Sequence, residues 1–234
     1  MWPATVQESI GRRHFAPALA AAGGHNDYLW AEMMSMPDSF SSQDVIDATR
    51  RWVEKAVIGL NLCPFAKSVY VREQIRFVAS AARTPRELHD ELIRELIMLR
   101  DAPPDEIDTT LLIHPCVLTN FLDFNDFLDV VDAAVDELAL AGQIQVASFH
   151  PQYQFAGTAP DDLENCTNRA PYPTLHLLRE SSIDRAVAAF PDASDIFDKN
   201  IATMRKLGQH GWNQLKASFG MPPEMNGNNE KQKN

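Results

Sequence analysis

Two apolar runs rich in strand formers, 109–113 (Thr-Thr-Leu-Leu-Ile) and 144–149 (Ile-Gln-Val-Ala-Ser-Phe), each end in the dipeptide His-Pro. Between them lies the clearest helical pattern of the chain, 123–141, with Phe124, Phe127, Val131, Val135 and Leu138 on one face and Gly142 as its stop. Strand, long helix, strand is a grammar that few folds satisfy, because the helix must carry the chain back over the sheet in a right-handed crossover. A further alternating run, 75–80, leads into Thr84-Pro85-Arg86-Glu87, a capping box with proline at the first helical position. The helix it opens carries Leu88, Leu92, Leu96 and Leu99 on one face and is broken at Pro103-Pro104. The expected class is α/β: a small, mostly parallel sheet of three or four strands with crossover helices and a helical C-terminal part.

Upstream, Val45, Ala48, Trp52, Ala56, Val57 and Leu60 recur at helical spacing over 44–60, and Pro64 stops the pattern by pushing its predecessor out of the helical region. Downstream, 183–190 and 195–207 read as helices. Segment 174–179 has two readings. Leu175 and Leu177 alternate around His176 as in a strand, whereas Pro173 would start a helix; the helix is preferred. These elements define one α/β domain over 43–215, a flexible N-terminal extension over 1–42 and a disordered tail over 216–234. Within the extension, Pro17 and Gly23-Gly24 interrupt the apolar stretch behind Arg12 and Arg13, which argues against a secretory signal, and Met33, Met34 or Met36 is the expected start.

Charge and cysteine use exclude classes. The net charge of −11 and pI near 5.0 lack the basic footprint of a general nucleic-acid binder. No apolar run is long enough to span a membrane. Cys63, Cys116 and Cys166 are odd in number and form no CxxC pair, which fits a reducing, cytoplasmic setting. Dinucleotide, phosphate-loop, serine-elbow and metalloprotease motifs are all missing, so nucleotide and nicotinamide chemistry have no positive support and the cofactor is left open.

Ligands of parallel sheets bind outside the carboxyl ends of the strands. His114 and His150, each the first residue past a strand, would share that edge. Each could instead terminate its strand and bond a loop carbonyl, but the repeated His-Pro step favours a functional pair. Cys63 precedes Pro64; as the N-cap of a short helix, its thiol pKa would be lowered, with Lys67 one turn on. A buried, inert cysteine is the competing reading. The loop 150–173 is too long and too aromatic to be a simple connection. In it Arg169 could clamp a carboxylate or phosphate or anchor the loop, Asn168 could bond a substrate or cap the loop, and Tyr172 could line a pocket. The aspartate stripe from Asp123 to Asp136 reads as a solvated helix face.

The segments 56–66, 111–115, 145–151 and 168–179 together resemble one bacterial family with plant relatives, catalogued only as a domain of unknown function (DUF1415-like). The resemblance spans roughly Trp52 to Gly208. It implies that Cys63, His114, His150 and Arg169 belong to one coherent family pattern. The four residues Cys63-Pro64-Phe65-Ala66 also resemble the active-site step of omega-type glutathione transferases.

Three functions are expected in turn. The first is an enzyme at the carboxyl edge of the sheet, with Cys63 as nucleophile, His114 or His150 as general base, and Arg169, Asn168, Tyr172 and Lys67 binding a small anionic substrate for acyl or thiol transfer or hydrolysis. The second is a zinc site of Cys63, His114 and His150 with one open position. The third is a non-catalytic binding or adaptor domain whose acidic surface steers basic partners.

Overall fold

The computed structural model describes residues 41–189 and 195–220. The expected extension over 1–42 falls almost wholly outside these residues, as does the tail beyond 220. Helix α1 (Ser42–Trp52) runs straight into a π-helical segment, Val53–Ile58, and a short helix α2 (Ala66–Val71) follows. The chain then alternates: β1 (Ile75–Ala79), α3 (Pro85–Asp101), β2 (Thr109–Ile113), α4 (Phe121–Glu137), β3 (Ile144–Phe149). A 3-10 turn, Leu163–Asn168, interrupts the loop before β4 (Thr174–Arg179), α5 (Glu180–Ala189) and α6 (Ile196–Ser218).

Local chemistry accounts for the boundaries. The Thr84 hydroxyl accepts from the Glu87 N–H and the Glu87 carboxylate accepts from the Thr84 N–H, so the capping box starts α3 as the pattern predicts. Helix α4 starts earlier than its apolar stripe, because the Asn120 side chain accepts from the N–H groups of Leu122 and Asp123. Helix α6 is longer than expected and kinks at Gly208, whose φ of 68° is left-handed. Its last turn and the buried Phe219 occupy positions assigned from sequence to the tail.

The sheet order is β1-β2-β4-β3. Only β1 and β2 pair in parallel; β4 is antiparallel to both of its neighbours. The sheet is therefore mixed, and the expectation of a mostly parallel one is corrected. The cause is segment 174–179, which is a strand rather than a helix and lies between β2 and β3. Those two strands still run the same way, but they never touch.

Side-chain alternation sorts the two faces. Leu112, Leu175 and Leu177 pack against Leu88, Leu92, Leu96 and Leu99 of α3 and Phe124, Phe127 and Val131 of α4. On the other face Leu111 and Ile113 join Val45 and Trp52 of α1 and Met204 and Trp212 of α6. Among the described residues no helix is long and apolar enough to cross a membrane.

Candidate functional site in the sheet face

Helices α1 and α6 leave part of their face of the sheet uncovered, and a cavity of about 910 Å³ opens there. Its floor is the sheet itself: Thr109 and Leu111 of β2, Ala147 and Phe149 of β3, His176 and Leu178 of β4. Its walls are Val53 and Val57 of the π-helical segment, Cys63 and Phe65 before α2, Ile183 and Ala186 of α5, and Phe197 and Asn200 of α6. Arg72, Arg179 and Arg185 line the end next to the amino-terminal edge of β1 and β2, together with Asp105 and Asp108. Asp108 is engaged there, accepting from the Ser182 hydroxyl and lying 3.8 Å from the Arg185 guanidinium. Arg179 donates to the carbonyls of Leu99, Ala102 and Ile107, closing the end of α3. Arg72 is exposed and donates through Nε to Gln74. The volume is that of a pocket for a small organic ligand.

His176 sits mid-sheet, paired with Leu111 on one side and Ala147 on the other. Its Nε2 lies 2.7 Å from the Thr109 hydroxyl oxygen, which is itself 2.6 Å from the Leu177 carbonyl. A carbonyl only accepts, so the hydroxyl proton goes to Leu177, and Thr109 accepts from a protonated Nε2. Burial pushes the His176 pKa down to about 4, so the ring is neutral at physiological pH. The Phe149 ring packs against it, with centroids 6.0 Å apart.

The predicted site residues separate into three places. His114 and His150 do share one sheet edge, on either side of the first residue of β4: Thr174 is opposite both Ile113 and Phe149. Their backbone N–H groups donate to Pro173 and Asn168, respectively. The rings, however, are fully buried on the α4 side, both packed on Phe124. The His114 Nδ1 donates to the Val117 carbonyl, and the His150 Nδ1 accepts from the Gln152 N–H. Burial holds both pKa values down to about 4.

Cys63 lines the cavity, across the sheet from those rings, so a cysteine with His114 or His150 as its base is not assembled. Nor does Cys63 cap a helix: α2 begins at Ala66 with Phe65 as its N-cap. Burial raises the thiol pKa and outweighs the N–H groups of Phe65 and Ala66, which favour the thiolate. The expected lowering is thereby corrected.

Arg169 is 5% exposed and donates to the carbonyls of Tyr153 and Pro160, the loop-anchoring alternative rather than the anion clamp. Asn168 reaches the cavity wall, but its side chain bonds the Ser148 carbonyl and the Thr167 hydroxyl. Tyr172 lies near Asp44 and Arg51, and Lys67 is exposed on α2; neither lines the cavity. Among the described residues no three His, Cys, Asp or Glu side chains group as metal ligands, so the proposed Cys63–His114–His150 zinc set does not converge. Sequence reasoning missed His176 and Thr109. The available signal was one imidazole amid four leucine and threonine neighbours in an alternating run.

The family described as "Protein of unknown function (DUF1415)" matches residues 44–214. No curated protein matches the chain, and no solved structure does.

Proposed function

Since the chain belongs to the DUF1415 family, whose description carries no activity, we propose from geometry that it binds a small organic anion with an apolar body in the sheet-face cavity. The observation that carries this reading is the cavity itself: a floor and walls of Leu, Val, Phe and Ile side chains, with guanidinium groups gathered at one end. Pockets that are mostly apolar with a few placed polar groups suit such ligands. The arginines outnumber the two carboxylates, and Asp108 is already hydrogen-bonded.

A second reading, hydrolase or transferase chemistry of the acyl- or thiol-transfer type, is favoured by one observation: Cys63 lines the same cavity with the Phe65 and Ala66 N–H groups near its sulfur. Three free cysteines fit a cytoplasmic setting for either reading.

Anilinonaphthalene sulfonate, an apolar ring system with one anionic group, tests the proposal. Folded wild-type protein is expected to bind it saturably, and short aryl and alkyl carboxylates to displace it. Ala186→Phe, which fills the cavity from α5, is expected to weaken binding at least tenfold while retaining a cooperative melt. Equal binding by both proteins would sink the proposal.

A further inference from the structure

The polar atom at the centre of the cavity floor carries a more specific consequence, which rests on the binding reading above. His176 has two ring nitrogens, and the Thr109–Leu177 relay assigns their roles: Nε2 holds the proton and donates to Thr109 Oγ1. In a neutral imidazole the other nitrogen, Nδ1, is then an acceptor with an in-plane lone pair. Nδ1 has no hydrogen-bond partner among the described residues, and His176 lines the cavity. The adjoining floor residues Leu111, Ala147 and Leu178 offer no donor side chain. A cavity-lining acceptor that no described donor meets selects for a ligand that brings one, because a ligand without it leaves the lone pair desolvated and unpaired.

We infer that His176 is the specificity-determining residue of the cavity, and that its ligand is an organic anion carrying a hydroxyl or N–H donor on its apolar body. The donor meets Nδ1 at the floor, and the anionic group lies toward Arg72 and Arg185. Thr109 acts through His176 as a positioning residue: its hydroxyl holds the tautomer that leaves Nδ1 bare. Lining by arginine alone would accept any apolar acid of the right size; the imidazole discriminates among such acids by one hydrogen bond.

The test compares 3-phenylpropionate with its ortho-, meta- and para-hydroxyl derivatives, measured by calorimetry on the full chain. At least one hydroxylated isomer is expected to bind wild type about fivefold more tightly than the parent acid, the range of one net hydrogen bond. That advantage is expected to vanish in His176→Phe, where the parent acid no longer leaves a ring nitrogen unpaired, and to shrink in Thr109→Val. If the parent binds and no isomer gains, or if the gain survives in His176→Phe, the inference is overturned while the binding reading stands. If no acid and no anilinonaphthalene sulfonate binds, both fall together. Side-chain ¹⁵N spectra of ligand-free wild type provide an independent reading that does not depend on any variant folding. A neutral ring protonated on Nε2 between pH 6 and 8 is expected for His176, and a proton on Nδ1 would overturn the assignment.

Discussion

His114 and His150 show how a repeated dipeptide can mark structure. Each side chain has one nitrogen bonded to nearby backbone, and among the described residues each Nε2 is buried without a hydrogen-bond partner. Protonating either ring would place a charge against Phe124, with no carboxylate among the described residues acting on it. The linkage follows from the direction of the shifts. Both folded pKa values are lowered to about 4 from 6.5, so between those values the unfolded chain binds more protons. Stability is therefore full above pH 6.5 and is lost as pH falls toward 4. Urea denaturation is expected to show about 2 kcal/mol lost per histidine between pH 7.5 and pH 5. A midpoint unchanged over that interval would mean that the rings are already paired or hydrated. Cys63 makes a companion case. With its thiol pKa raised, alkylation by iodoacetamide at pH 7.5 is expected to be slower than for an unperturbed thiol and to keep rising beyond pH 9. A fast rate that levels off near pH 7 would restore a thiolate nucleophile.

At the scale of elements, helix ends and apolar stripes were legible because their chemistry is local. Thr84, Pro85 and Glu87 specify the start of α3 without reference to the rest of the chain. Thr84→Ala is accordingly expected to cost about 1 kcal/mol in thermal or urea melts, with little change in ligand binding. Segment 174–179 was not legible, because its two local signals conflict and burial decides between them. The alternation of Leu175 and Leu177 prevails once both flanks of β4 are paired. The π-helical segment was equally hidden. It widens the turn that presents Val53 and Val57 to the cavity, and it brings the backbone of Lys55 against Gly59. A Cβ at Gly59 would collide with the Lys55 carbonyl oxygen although the residue has ordinary helical φ. Gly59→Ala is thus expected to destabilise by about 1–3 kcal/mol and to loosen anilinonaphthalene sulfonate binding, since the cavity wall must shift. Unchanged melting and binding would show that the turn reverts to a plain helix at no cost.

At the scale of the whole molecule, the site lies where two layers fail to close, and that is a property no local pattern carries. The expected edge was real, and it holds the two histidines, but Phe124 fills it from α4. The cavity arises instead from long-range pairing: Thr109, Ala147 and His176 are far apart in sequence and become neighbours only when β4 enters the sheet. Cys63 was legible as an unusual residue, but its environment was not, since burial on folding reverses the effect expected from the helix end. The same insertion of β4 has a consequence for synthesis. As the chain leaves the ribosome, β2 and β3 emerge first and have no partner for the edges that will face each other. The strand that joins them is made about thirty residues after β3 begins, a delay of a few seconds at ordinary elongation rates. During that interval both inner edges are open to pairing with other chains, and the growing chain is at its most aggregation-prone.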